Sequence, residues 1–197
     1  MNKKEEIKKI RDEIWNLKKS PLYAERVANN AYPVIGEGDH DAKIIFIGEA
    51  PGKNEAATGR PFCGMSGRIL DELLAHIKLA RESVYITNIV KDRPTNNRDP
   101  KSGEIEIYAP FLDRQIEIIK PAVVVTLGRF SMEYVMQRYG LEKKMDTIST
   151  LHGKKFKAKA DFGEFSFVPL YHPAVAVYNR TTLPDLKKDF EVLKKFL

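Results

Sequence analysis

The sequence has one cysteine, Cys63, which excludes an internal disulfide and any metal site built from several cysteines. It has no apolar run that approaches membrane-spanning length, no internal repeat and no low-complexity segment, so we expect no membrane partner. The first residues, MNKKEEIKKIRDEIW, are charged and helical in pattern rather than signal-like. We therefore expect a cytoplasmic protein in a reducing environment.

What the sequence does contain is typical of a single soluble domain, and its length is 197 residues. Hydrophobic residues make up 43 % and charged residues 30 %, as in an ordinary globular protein. The net charge of +6 favours a polyanionic partner, although many basic proteins bind no nucleic acid. Composition alone therefore leaves the partner open.

Short apolar runs alternate with helical patterns along the chain. Strands buried on both faces are predicted at 43–48, 83–88 and 121–127. Helices are predicted at 3–19, 67–79, 104–119, 129–139 and 184–197, and a hairpin at 153–160 and 164–170. This alternation indicates an α/β fold, a three-layer α/β/α sandwich around a central, mostly parallel sheet. One domain spanning 1–197 accounts for all of it.

Polar and aromatic residues lie just beyond the predicted strand ends, and such ends converge at one edge of a parallel sheet. We therefore expect one pocket lined by Glu49, Glu55, Phe62, Asn88 and His172. An amide reads a planar heterocycle along one edge, an aromatic ring stacks on its face, and an imidazole stabilises charge on a ring oxygen. These are the parts of a pocket for a nucleic-acid base.

Four segments carry a resemblance to a known family. They are GEAPGKNEAATGRPFCGMSGRILDELL, VYITNIVKDRPTNNRDP, IKPAVVVTLG and YHPAVAV. In this order and spacing they resemble the family 4 uracil-DNA glycosylases, over roughly residues 15 to 195. The resemblance implies the uracil-glycosylase α/β/α fold, base flipping, and hydrolysis of the glycosidic bond without a cofactor in the chemistry.

The resemblance also implies roles for the base-binding residues. Asn88 matches the asparagine that reads the Watson–Crick edge of uracil, and Phe62 matches the aromatic residue that stacks on it. His172 matches the histidine that donates to uracil O2 as negative charge develops there. Gly48 and Ala50 belong to the turn that contacts the base.

The resemblance leaves two candidates for the residue that positions the attacking water. More familiar relatives have an aspartate where this chain has Ala50, which can neither orient nor activate water. Glu49 and Glu55 are the remaining candidates, because a nearby carboxylate also stabilises an oxocarbenium-like sugar. We assign Glu55 to water positioning and place Glu49 in the same pocket.

Two further segments are expected to bind DNA. A basic loop beside the pocket offers phosphate contacts through Lys91, Arg93, Asn97 and Arg98. The segment after the histidine matches the one that enters the minor groove and fills the gap left by a flipped base. Its candidate residues are the apolar wedges Val175 and Val177, the stacking Tyr178 and the phosphate-binding Arg180.

The chain departs from the family at the positions of an iron–sulfur cluster. Family 4 members usually hold a 4Fe–4S cluster on four cysteines, and the matching residues here are Leu17, Ser20, Asp92 and Tyr108. None of them is a thiol, so we expect no cluster and no other metal or cofactor. We expect Leu17 and Tyr108 to pack together and to replace the metal staple with apolar contact.

The sequence therefore predicts a monofunctional uracil-DNA glycosylase that acts on uracil-containing DNA as a monomer and leaves an abasic site. A glycosylase for hypoxanthine or xanthine stays open, because Ala56 and His152 depart from the family pattern. So does a protein that binds uracil in DNA with little turnover, because Ala50 removes the obvious water ligand. A small-nucleotide-binding α/β protein is a third alternative, against which the basic loop argues.

Overall fold

Six strands build the centre of the computed structural model, which describes residues 2–197. In chain order they are β1 (Glu37–Gly38), β2 (Ile44–Gly48), β3 (Tyr85–Asn88), β4 (Val123–Leu127), β5 (Phe156–Ala160) and β6 (Gly163–Leu170). Across the sheet the order is β1-β3-β2-β4-β6-β5, and the inner four strands are parallel. The two edge strands pair in the antiparallel direction. The predicted α/β class with a mostly parallel sheet is confirmed.

Helices connect the strands. They are α1 (Lys3–Trp15), α2 (Tyr23–Ala28), α3 (Lys53–Thr58), α4 (Met65–His76), α5 (Ser102–Ile119), α6 (Arg129–Arg138), α7 (Ile148–Leu151), α8 (Ala174–Tyr178) and α9 (Leu183–Phe190). Short 3-10 turns lie at Arg81–Ser83, Thr95–Asn97, Glu142–Lys144, Arg180–Thr182 and Glu191–Phe196. Within residues 2–197, none of these helices combines the length and the apolarity that crossing a membrane requires.

The sheet is covered on both faces, and alternate residues of β2 pack against different layers. Ile44 and Phe46 lie in one apolar cluster with residues of α4 and α9. Ile45 and Ile47 lie in a second cluster with residues of α5 and α6. A third cluster joins the apolar stripe of α1 to α5. The result is the three-layer α/β/α arrangement, with α1 packed outside it.

The structure departs from the predicted elements at their ends and in short segments. Helix α1 ends at Trp15 rather than at residue 19, because the backbone of Asn16 leaves the helical conformation. The helix predicted at 184–197 is α9 followed by a 3-10 turn. The elements β1, α2, α3, α7 and α8 lie where no helix or strand is predicted. Their two to six residues are too few for a periodic pattern to reveal them.

Candidate active site

A cavity of about 520 Å³ opens where β2 and β3 end, at the sheet edge where the sequence predicts a pocket. It is lined by the predicted residues Glu49, Ala50, Glu55, Phe62, Asn88 and His172. They come from the turn after β2, from α3, from the loop before α4, from the last residue of β3 and from the segment after β6. The structure therefore brings these residues together, whereas their chemical roles stay predictions.

Asn88 presents an unsatisfied oxygen atom to this region. The residue is 2 % exposed, and its Oδ1 atom has no hydrogen-bond partner among residues 2–197. The other buried side-chain oxygen without a partner in that range, Thr126 Oγ1, does not border the cavity. A buried unpaired acceptor costs about 1–3 kcal/mol. A ligand with an N–H group at this position would remove that cost.

Gly48 permits the close approach of two side chains. It lies opposite Asn88 in the parallel pairing of β2 with β3. A Cβ atom at this position would collide with the Asn88 side chain and would lie 2.7 Å from Cζ of Phe62. Any larger residue would therefore push the amide or the ring out of place. Gly48 thus lets Asn88 and Phe62 approach each other by having no side chain, and its predicted contact with the base stays a prediction.

Phe62 is held in an unusual backbone conformation by Glu55. The φ angle of Phe62 is 48°, in the left-handed region that costs a non-glycine residue about 1–2 kcal/mol. Glu55 Oε1 accepts hydrogen bonds from the backbone N–H groups of Cys63 at 2.9 Å and Gly64 at 2.8 Å. The Phe62 ring lies 5.5 Å from the His172 ring, centroid to centroid. Glu55 therefore braces the loop that presents the aromatic ring.

His172 is prepared to act as a neutral hydrogen-bond donor. Its Nδ1 atom accepts a hydrogen bond from the backbone N–H of Ala174 at 3.1 Å, which leaves the proton of the neutral ring on Nε2. Burial lowers the pKa of His172 to about 4, and the negative charge of Glu55 opposes this only in part. Near neutral pH the ring therefore carries no charge and has one N–H group available.

Glu49 has the properties of a base that works near neutral pH. Its Oε1 atom accepts a hydrogen bond of 3.1 Å from the backbone N–H of Phe130, in the first turn of α6. Burial raises the pKa of Glu49 to about 7, and the Phe130 N–H opposes that rise. Gly128 lies against the carboxylate, and a Cβ atom there would collide with it. The carboxylate is therefore fixed in place and partly desolvated.

The prediction that Lys91 contacts phosphate is wrong. Its side chain is 0 % exposed, and its amine is bonded to oxygen atoms of the protein interior. The other residues of the basic loop lie nearer the surface. Arg93 donates to Asn97 Oδ1 at 2.7 Å, and Arg98 makes a two-fold contact with the carboxylate of Glu104. Of the four residues predicted to contact phosphate, Asn97 and Arg98 border the cavity.

The segment after His172 forms α8 and the turn that follows it. Val177 and Tyr178 border the cavity, and Tyr178 is 90 % exposed. Val175 is 36 % exposed, whereas Val177 packs partly against the core. Arg180 donates to Glu72 at 2.7 Å on the surface. Of the two valines, Val175 is the one on the open surface.

Met65 borders the cavity but is not among the site residues predicted from the sequence. It begins α4, borders the cavity and is 63 % exposed. Met65 lies four residues before Ile69, on the apolar stripe of the helix. Its sequence pattern is therefore that of a core residue. A large apolar side chain directly after the Phe62 loop was the signal that could have identified it.

Of the four positions that match the cluster ligands, Ser20, Asp92 and Tyr108 are linked by hydrogen bonds. The Tyr108 hydroxyl donates to Asp92 Oδ2 at 2.6 Å and lies 2.7 Å from Ser20 Oγ. Arg26 donates to Asp92 Oδ1 at 3.2 Å. Leu17 and Tyr108 belong to the same apolar cluster, and the hydroxyl of Tyr108 belongs to this buried polar network. That they replace the metal staple stays a prediction. No residue of the four offers the thiolate that an iron–sulfur cluster needs.

Comparisons with known proteins place these observations in a family. A family model described as the uracil DNA glycosylase superfamily matches residues 35–196. A "Type-4 uracil-DNA glycosylase" of Sulfurisphaera tokodaii is 43 % identical over 190 residues, covering 96 % of this chain and 84 % of the relative. Proteins of the same name from Archaeoglobus fulgidus and Thermotoga maritima are 40 % and 38 % identical. They cover 91 % and 85 % of this chain, and 85 % and 86 % of the respective relatives.

Proposed function

Since this chain belongs to the uracil DNA glycosylase superfamily, we propose that it flips uracil out of DNA and hydrolyses its N-glycosidic bond. The observation that carries this proposal is the unpaired, buried Oδ1 atom of Asn88 at the cavity. Uracil has an N3–H donor between two carbonyl acceptors. An amide that accepts from N3–H and donates to O4 matches this edge, whereas cytosine has no hydrogen on N3.

The leaving base is stabilised as an anion. Phe62 stacks on the flipped ring, and the neutral His172 donates its Nε2–H to O2 as negative charge builds up. Because the pKa of His172 lies at about 4, the ring does not transfer a proton to uracil near neutral pH. It acts as a fixed dipole that is worth more in the desolvated pocket than in water.

Glu49 positions the attacking water. Glu55 has one oxygen engaged by two backbone N–H groups, whereas the Glu49 carboxylate has a pKa of about 7 and is held by a single backbone bond. Water attacks C1′ of the sugar, the bond from C1′ to N1 breaks, and its electron pair leaves with uracil. The water proton passes to Glu49, and the oxygen atom stays on the abasic sugar.

DNA lies across the open edge of the cavity. Tyr178 is exposed where it borders the pocket. Val175 is the better wedge because it is on the open surface, whereas Val177 borders the cavity but packs partly against the core. Arg93, Asn97 and Arg98 supply polar contacts to the backbone. Arg98 and Arg180 are paired with carboxylates, so they exchange one anionic partner for another when they bind phosphate. A monomeric state and a cytoplasmic location stay predictions.

The chain works without an iron–sulfur cluster. Support comes from the donor set, since Leu17 offers no ligand atom and the oxygens of Ser20, Asp92 and Tyr108 are bonded to one another. The protein purified without oxygen should contain iron at far below one equivalent, measured by elemental analysis, and should lack the visible absorbance of a cluster. Stoichiometric iron together with that absorbance would contradict this part of the proposal.

The test of activity uses an end-labelled oligonucleotide with one uracil. Incubation with the protein followed by alkali should break the strand at that position. Asn88→Ala and His172→Ala should each slow the reaction by about 10²-fold or more, because each removes a group that acts on the leaving base. His76→Ala, which changes a histidine at the C-terminal end of α4 outside the cavity lining, should leave the rate unchanged. A folded wild-type chain that makes no break would contradict the proposal, and hypoxanthine would be the next base to test.

A further inference from the structure

Lys91 has the environment of a buried cation without a carboxylate partner. Its Nζ atom lies 2.6 Å from the carbonyl oxygen of Asn88, 2.7 Å from Thr87 Oγ1 and 2.6 Å from Gln115 Oε1. No acidic side chain among residues 2–197 forms an ion pair with it. A lysine buried in this way is uncommon, and nothing in the chemistry proposed above uses it.

The surrounding hydrogen bonds determine which atoms donate and which accept. Thr87 donates its hydroxyl hydrogen to the carbonyl of Ile35 at 2.6 Å, so its lone pairs face the amine. Gln115 donates from Nε2 to Ile35 at 2.9 Å and to the hydroxyl of Tyr85 at 3.0 Å, so its Oε1 also faces the amine. With the carbonyl of Asn88, three acceptors lie within 2.7 Å of an amine that has three N–H donors when charged, and the carbonyl of Ile35 lies farther away at 3.5 Å.

This arrangement acts on the turn that carries the base-reading amide. Lys91 reaches back three residues to the carbonyl of Asn88, while the backbone N–H groups of Ile89 and Val90 donate to the carbonyls of Gly48 and Glu49 at 3.1 and 3.0 Å. The amine therefore adds a hydrogen bond within the turn that follows β3, and the other hydrogen bonds of this turn connect it to Gly48 and Glu49. Burial lowers the pKa of Lys91 well below its usual range.

We propose that Lys91 is a positioning residue for base recognition, which holds the Asn88 carbonyl and so fixes how the Asn88 side chain enters the pocket. The proposal rests on the function proposed above. Lys91 does not line the cavity, so its effect is transmitted through the turn from Asn88 to Lys91. A misplacement of about 1 Å in such a group reduces a rate by about 10²-fold.

The first variant is Lys91→Met, which keeps the length and the apolar stem but removes all three donors. Val125→Ala is the matched control, because it removes packing from the buried core of β4 without touching this turn. Both should lower the unfolding temperature. Well below that temperature, Lys91→Met should reduce kcat/KM by about 10- to 100-fold and weaken inhibition by free uracil, whereas Val125→Ala should change neither.

Hydrogen exchange separates this inference from the activity itself. The amides of Ile89 and Val90 should exchange faster in Lys91→Met than in Val125→Ala at matched stability. Should Lys91→Met not fold, Thr87→Val removes one acceptor without changing shape and should show a smaller effect in the same direction. A folded Lys91→Met with unchanged exchange at these amides and kcat/KM within about twofold of wild type would overturn the inference. A wild-type chain that releases no uracil would instead count against the proposed function, and the exchange measurement would still decide whether Lys91 holds the turn.

Discussion

Glu49→Gln should make the protein more stable and less active, and the gain in stability should depend on pH. A carboxyl group whose pKa is higher in the folded than in the unfolded chain favours folding only while it is protonated. For Glu49 this contribution is complete below the unfolded value of 4.5 and is lost as pH rises through about 7. Near and above neutral pH the ionised carboxylate therefore opposes folding, and a neutral amide of the same shape does not.

The size of the effect follows from the pKa of Glu49, which burial raises from 4.5 to about 7. One pKa unit corresponds to about 1.4 kcal/mol, so full ionisation of Glu49 lowers the free energy of unfolding by at most about 3 kcal/mol. The carboxylate is partly open to the cavity, and water there screens the effect. We expect a gain of about 1–3 kcal/mol at pH 8, or about 3–10 °C in the unfolding temperature of a chain of this size.

Thermal unfolding followed by circular dichroism at about pH 5 and about pH 8 measures this gain. The difference between Glu49→Gln and wild type should be small at the lower pH and should widen at the higher one. Glu106→Gln, which removes an exposed carboxylate from α5, is the matched control for the loss of one charge and should show no such widening. Uracil release by Glu49→Gln should fall by about 10²-fold or more, because an amide cannot accept the water proton. A difference that stays constant or shrinks with rising pH would refute the reasoning.

Three further outcomes follow from the site. Gly48→Ala should fold but release uracil about 10²-fold more slowly in the alkali-cleavage assay, because its Cβ displaces the base-reading amide; a rate within twofold of wild type would contradict this. In the pH profile, kcat/KM should rise with pH through about 7 as Glu49 ionises. Protonation of His172 should not contribute to the profile above about pH 5, because the pKa of His172 is about 4. An acid limb that His172→Gln abolishes would argue against that assignment. Tyr108→Phe should lower the free energy of unfolding by about 1–3 kcal/mol, measured by chemical denaturation, because Asp92 loses a buried donor. The kcat of that variant should match wild type, and a large loss of kcat would show that the network reaches the pocket.

The fold was largely accessible from the sequence because its central strands are buried on both faces. The runs at 43–48 and 121–127 are apolar at nearly every position, and the run at 83–88 has an apolar centre from Val84 to Ile86. They became β2, β4 and β3 with small shifts at the ends. Segments such as α3 were not accessible. It has six residues, too few to be stable alone, and exists because the fold holds its ends and its Glu55 bonds the next loop.

The site divides in the same way. That strand ends converge is a rule of parallel sheets, and it was enough to bring Asn88 and His172 to one cavity. The interior position of Lys91 could not be foreseen, because a lysine among Arg, Asn and Pro has the pattern of a solvated loop. Its three acceptors come from β3 and from α5, and only the folded chain assembles them. The proposal that Glu49 rather than Glu55 positions the water likewise depends on which backbone N–H groups lie near each carboxylate.

Three unfavourable features of this structure lie together where β2 and β3 end, and their proximity supports the assignment of the site. Asn88 keeps a buried oxygen unpaired, Phe62 has a backbone angle that a non-glycine residue avoids, and Glu49 has a carboxylate that burial destabilises. Each lowers stability by an amount on the order of 1–3 kcal/mol, and together they form one cavity. A flipped uracil would remove the first by donating N3–H to Asn88 and would use the second by stacking on Phe62. Protonation of Glu49 by the attacking water would remove the third, the unfavourable free energy of a buried ionised carboxylate. These destabilising features of the folded chain therefore favour the steps of the proposed reaction.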